Sequence, residues 1–217
     1  MNSSGKQVKS KQRVADHGEV FTAKREVNAM LDMVKEETER IESTFLEPAC
    51  GDGNFLIEIL ARKLKVVAGR CADNQLDYEL YATIAISSIY GVDILEDNVR
   101  ECRHRLNSFF LEQYKKLFPN TCKEECKKSV EYLLGKNIIW GDALDYKLVE
   151  DKNVFITFCE WTAVDEMMIK RKDFTMQSLL TNDVFAEIAD SYDIDDFLPP
   201  DKEYPAIHFL RLYELGE

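Results

Sequence analysis

Phe45-Leu46-Glu47-Pro48-Ala49-Cys50-Gly51-Asp52-Gly53-Asn54-Phe55-Leu56 runs from an apolar, strand-like start through a two-glycine corner into an amphipathic segment. Glycines at such a corner let the backbone turn sharply and let a ligand approach bare amide groups. Two glycines in a loop are also what an ordinary turn shows. The residues before the corner narrow the choice, because Glu47 sets a carboxylate where the strand ends. A phosphate-binding loop is at odds with that charge, whereas a ligand carrying an ammonium group suits it.

Outward from the corner, strands and helices alternate. The amphipathic segment extends from about Asn54 to Val67, and Asp77 to Ser87 reads as a second helix. Ile89 to Ile94 reads as a buried strand ending in an acid. A long helix follows from Glu96 to about Phe118, with Val99, Cys102, Leu106, Phe109 and Phe110 facing inward; Pro119-Asn120 ends it. Lys123 to Leu134 reads as a charged helical linker, and Asn137 to Trp140 as the next strand, closed by Gly141-Asp142. Upstream, Val27, Met30, Leu31 and Val34 give Glu26 to Ile41 the spacing of an amphipathic helix, and Thr44 to Leu46 reads as a strand. The fold class this predicts is α/β, a Rossmann-like parallel or mixed sheet flanked by helices. In such sheets the ligand sits beyond the carboxyl ends of the strands, where this chain carries Glu47, Asp93 and Asp142.

The remainder has a different character. Asn153 to Trp161 and Met167 to Phe174 read as a hairpin, with Lys170-Arg171-Lys172 on an exposed stretch. Leu179 to Ala189 reads as a helix, Asp190 to Tyr204 as an acidic loop containing Pro199-Pro200, and Ile207 to Tyr213 as a last strand. The organisation expected is a flexible polar arm over 1–16, a ligand-binding domain over 17–150 and a divergent C-terminal part of the same domain over 151–217.

Composition sets limits. The chain has 217 residues, 45% of them hydrophobic, which suffices for one substantial core. Its formal net charge of -12 opposes holding a polyanion by itself. Lys6, Lys9, Lys11 and Arg13 form a local basic run in what reads as a solvated tail. No apolar stretch reaches the ~20 residues of a membrane span, and the N-terminus lacks a signal-peptide core, so a cytoplasmic protein without membrane contact is expected. The six cysteines then need form no disulfides. Cys122 and Cys126 lack the further cysteines or histidines of a cluster or zinc site: Ser129 stands where a third cysteine would, and no metal is expected.

The three strand-end acids suggest a ligand. A carboxylate after the second strand accepts two ribose hydroxyls, a role Asp93 fits. One after the third strand accepts from an adenine amine, as Asp142 is placed to do, and Glu47 pairs with an α-ammonium. Together they describe a nucleoside joined to an amino acid without a pyrophosphate, which is S-adenosyl-L-methionine. Either aspartate alone also reads as a helix cap.

Phe45 to Leu56 resembles the first motif of the class I S-adenosylmethionine-dependent methyltransferases, in the form used by N6-adenine DNA methyltransferases of restriction-modification systems. The upstream Gly18-Glu19-Val20-Phe21-Thr22-Ala23 is similar to that family's Gly-x-x-Phe-Thr-Pro segment, with Ala23 in place of proline. Ser88 to Ile94 resembles its second motif and Ile138 to Leu144 its third. The resemblance implies a class I methyltransferase fold over 18–144 and a cofactor site of Phe21, Thr22, Glu47, Pro48, Ala49, Cys50, Gly51, Gly53, Asn54, Phe55, Asp93, Ile94, Asp142 and Ala143. In it Phe21 and Thr22 meet the methionine end, Glu47 its amino group, Asp93 with Ile94 the ribose and adenine, and Asp142 the adenine N6.

The family's catalytic Asn/Asp-Pro-Pro-Tyr/Phe motif holds a flipped base. It should follow Asp142 within roughly ten to twenty-five residues, a short connection plus a strand. No Pro-Pro stands there; the one at 199–200 has neither matching flank. Glu160-Trp161 offers an acceptor beside a stacking ring, though a strand-end aromatic in a core is the commoner arrangement. The chain also ends before a target-recognition domain would fit. Two functions follow: an adenine-N6 DNA methyltransferase or restriction-modification methylation subunit that meets DNA through partner subunits, or a non-catalytic cofactor-binding regulatory or assembly subunit.

Overall fold

The structure is a computed structural model that describes residues 10–17, 20, 22–164, 167–181 and 199–216. Helices α1 (Lys11–His17), α2 (Lys24–Asp32) and α3 (Lys35–Glu39) precede β1 (Phe45–Glu47). Then come α4 (Asn54–Cys71), α5 (Gln75–Ser87), β2 (Ile89–Asp93), α6 (Glu96–Leu117), α7 (Glu124–Asn137), β3 (Ile138–Asp142) and β4 (Lys147–Leu148). The C-terminal part holds β5 (Thr157–Ala163), β6 (Met168–Thr175), α8 (Met176–Thr181), β7 (Lys202–Glu203), β8 (Ile207–His208) and a 3-10 helix, Phe209–Leu215.

One sheet has the order β1-β2-β3-β4; β1 and β3 flank β2 in parallel and β4 is antiparallel to β3. The other is antiparallel, with β5 and β7 beside β6 and β8 also on β6. The fold is therefore mixed α/β, with a parallel-containing sheet flanked by helices. β2 is buried along its whole length, so both faces of the first sheet are covered at its central strand. On one face α4 lies so close that a Cβ on Gly91 would sit 2.9 Å from Leu56 Cδ1 and 3.0 Å from Cys50. The register puts Tyr90 beside Leu46 on the other face, where its hydroxyl donates to the Cys159 carbonyl at 2.6 Å. Val92, Ile139 and Ile156 form a second apolar cluster there, with Phe158 and Met176 packed on it. The hairpin is thus the cover of the sheet's second face.

Several expected elements differ. Glu26 to Ile41 is two helices, broken where Val34 leaves helical geometry at φ -121, ψ 37. Segment 123–134 is no linker: Cys126, Val130, Leu133 and Leu134 fall at i, i+4, i+7 and i+8 and are buried against α5, α6 and the 3-10 helix. Strand alternation turns Arg171 inward between its two lysine neighbours, so the expected exposed stretch contains a residue only 3% accessible. Arg171 is held by a paired contact with Asp173 (2.6 and 2.8 Å) and lies over the Tyr204 ring. Only Ile207–His208 of the expected last strand is extended; His208 Nδ1 accepts from Leu210 N–H and starts the 3-10 turn. The expected arm ends in α1, whose Arg13 pairs with Asp97 at 2.8 Å. The helix expected over Leu179 to Ala189 lies beyond Thr181 outside the described residues, as does most of the acidic loop that follows. Among the described residues no helix is long and apolar enough to cross a membrane.

Candidate functional site

A cavity of about 630 Å³ opens at the carboxyl ends of β1, β2 and β3. The glycine corner forms one wall. Gly51 and Gly53 both have positive φ, 53° and 89°, which glycine adopts without penalty. A Cβ on Gly53 would also meet Cys102 Sγ at 2.6 Å, so α6 can pack directly beneath the turn. Arg105 of α6 straps the corner, donating to the Asp52 carbonyl at 2.7 Å and to Asn54 Oδ1 at 3.0 Å.

Three of the corner's amide groups, including those of both glycines, are already occupied. Cys50 N–H donates to the Val92 carbonyl, Gly53 N–H to the Cys50 carbonyl, and Gly51 N–H to Asp93 Oδ2 at 2.8 Å. A phosphate cradle needs such amides free. Among the described residues the cavity lining holds three carboxylates, Glu47, Asp93 and Asp142, and no Lys, Arg or His. Ligands bearing positive charge and hydrogen-bond donors suit it; polyphosphates do not.

The three acids are held differently. Asp93 is buried and fixed: Oδ1 accepts from Leu95 N–H at 2.8 Å and from Asn98 Nδ2 at 3.2 Å, while Oδ2 ties down Gly51. Asp93 thus closes the turn ahead of α6 and braces the corner; it is not the helix cap also open to it from sequence, because Leu95 holds the N-cap position of α6 and no side chain caps it. Asp142 Oδ1 closes its own turn by accepting from Leu144 N–H at 2.9 Å. Glu47 makes no hydrogen bond or ion pair with any described residue. Burial holds its carboxyl above the usual range. Cys50, also in the lining, has its thiol raised far above the usual range by a hydrogen bond with Cys102 and by burial, which makes it a poor nucleophile.

Thr22, Glu47, Pro48, Ala49, Cys50, Gly51, Asn54, Phe55, Asp93, Ile94, Asp142 and Ala143 all line the cavity. Gly53 lies behind it as the residue preceding α4, and Phe21 is outside the described residues. Val20, Leu95, Asn98, Gly141 and Leu144 also line it without being among the expected site residues. Val20, Gly141 and Leu144 fall inside the motif segments, and Leu95 directly follows one. Asn98, which donates to Asp93, has no distinguishing signal in the sequence.

Glu160 and Trp161 are not at this site. They sit on β5 in the second sheet, where Trp161 Nε1 donates to Asn137 Oδ1 at 2.9 Å and Glu160 faces Lys172 at 3.8 Å. The fold and site define an α/β protein with an acidic pocket at the carboxyl edge of its parallel strands. No family model matches the chain, and no curated protein and no solved structure matches it.

Proposed function

We propose that the chain binds S-adenosyl-L-methionine in the class I methyltransferase manner and is the cofactor-holding subunit of an adenine-N6 DNA methyltransferase system. The observation carrying this reading is the half-buried Glu47, unpaired among the described residues, in a cavity whose described lining has three carboxylates and no cation. Glu47 receives the ligand's α-ammonium. Asp93, held rigid by Gly51, Leu95 and Asn98, keeps lone pairs for the ribose hydroxyls. Asp142 accepts from the adenine amine through the oxygen that does not close its own turn, with Ile94 and Leu144 against the ring. Bound there, the cofactor would supply a methyl group activated by its sulfonium.

A second reading, a binding subunit without catalysis, is favoured by the position of the β5–β6 hairpin. It covers the sheet's far face, and among the described residues no strand lies beside β1 to present an acceptor loop. Under the first reading that loop belongs to a partner protein. Calorimetry with S-adenosylmethionine tests the shared core, and absence of heat at millimolar ligand would overturn it. Transfer of a labelled methyl group to adenine-rich DNA, with and without partner proteins, separates the two readings.

A further inference from the structure

A second groove, of about 560 Å³, runs along the outer edge of β3 between α6, the end of α7 and the β4–β5 connection. Its volume is within the range of small-ligand sites, ~300–1,000 Å³. Its lining reverses the sign of the chain. Arg100 and Arg103 enter from α6 and Lys136 from the last turn of α7, and the aromatic residues Trp140 and Phe155 are also in the lining.

The charges are only partly answered. Arg103 gives Nε and Nη2 to the carbonyls of Ile138 and Gly135, which finishes the C-terminal end of α7. Its Nη1 makes no hydrogen bond to a described residue, and no described carboxylate lies within ion-pair distance. Lys136 has no carboxylate partner among the described residues; it rests over the Tyr132 ring at 5.6 Å. Arg100 reaches Glu96 at 3.7 Å on the exposed helix surface, a contact of little strength. Glu150, on the opposite rim, is the other carboxylate in the lining. Partial burial of Arg103 disfavours its cation, so an anion in the groove would be welcome there.

We infer that this groove is a binding site for a phosphorylated nucleoside unit, with phosphate on Arg100, Arg103 and Lys136 and the base against Trp140. Phosphate recognised by Arg forks and Lys, with a base on an aromatic ring, is the chemistry that holds single strands and free nucleotides alike. The groove abuts the acidic pocket, since Trp140 and Glu96 directly adjoin the pocket residues Gly141 and Leu95. The inference stands independently of the methyl-donor reading, and its assay contains no S-adenosylmethionine.

The test measures fluorescence anisotropy of a labelled oligodeoxyadenylate with the full chain at low salt, with AMP and adenosine as competitors. AMP is also titrated alone by calorimetry. The expected result is binding that AMP displaces and adenosine does not. The Arg100→Glu/Lys136→Glu variant should bind at least about tenfold more weakly, with a salt slope lower by about one per lost contact. AMP binding without oligonucleotide binding would identify free nucleotides as the source of the unit. No binding of either up to ~0.1 mM, the weak end of non-specific association, would overturn the inference. So would equal competition by adenosine, or unchanged binding by a variant whose circular dichroism melt matches the parent.

Discussion

Replacing Glu47 by glutamine should separate the two things a buried carboxylate does. In the free protein Glu47 is partly desolvated without a partner among the described residues, and its carboxyl is raised by burial. A carboxyl raised on folding binds its proton more tightly in the native state, so it lowers stability as pH climbs through its folded pKa. Glu47→Gln should therefore equal or slightly exceed the parent in stability at pH 7. The difference should shrink as pH falls through the raised folded pKa toward the ordinary glutamate value of 4.5, and be gone below it. Ligand binding should respond in the opposite sense. A unit charge pair at 4 Å is worth about 4 kcal/mol at the effective dielectric near a protein surface. Desolvating the ammonium offsets part of this, leaving the about 1.5–3 kcal/mol usual for a charged hydrogen bond, or about 10- to 150-fold in Kd. Calorimetry at pH 7.5 with parent and variant, beside urea denaturation of both, reads the two effects separately. Equal affinities for S-adenosylmethionine would refute the ammonium role. A variant clearly less stable than the parent would refute the claim that Glu47 has no structural partner.

Further outcomes concern the frame around the site. Gly53→Ala should lower stability by about 1–3 kcal/mol, since it forces a left-handed residue against Cys102. Gly69→Ala, in the same helix with open space around it, should raise stability by up to about 1 kcal/mol; urea denaturation of the pair checks both. Burial pushes Lys63 down to about 7 from 10.5, while its ammonium donates to the carbonyls of Ile41 and Ser43. A lysine lowered on folding leaves the unfolded chain binding more protons between those values, so its contribution makes stability rise with pH across 7 to 10.5. Lys63→Met should flatten that rise and, by orphaning two carbonyls, cost about 2–5 kcal/mol, measured by denaturation across the window. Arg171→Ala should cost about 3–5 kcal/mol by leaving Asp173 buried and unpaired, with loss of amide protection concentrated in β5 and β6 on hydrogen exchange.

The elements that position the pocket are the ones with clear period or punctuation. The Glu47-to-Gly53 corner, the buried run at Ile89 and the acid-ended strand at Trp140 each carry their signal within a few residues. What was not legible depends on distant partners. The apolar stripe of α7 is sparse and set among lysines, so it reads as solvated until α5 and α6 are in place. Arg171 between two lysines looks exposed until β6 pairs and alternation turns it toward Asp173 and Tyr204. The same applies in the site. Asp93 was recognisable as a strand-end acid, but its grip on Gly51, and Asn98 beside it, arise from residues a helical turn or a whole crossover away.

Every pairing among the three parallel strands closes a long loop. Phe45 meets Ile89, and Gly91 meets Ile138, each across a crossover of two helices. Such contacts carry a large closure entropy before any ladder bond repays it, so the sheet is the slow part of folding. On a growing chain the last wall of the acidic pocket cannot be set until Asp142 has emerged and its strand has docked. Glu47, Asp93 and Asp142 are therefore assembled together and late, and a ligand that needs all three binds only the finished fold. By mass action it would hold that fold closed, so ligand supply would also govern how long each newly made molecule survives.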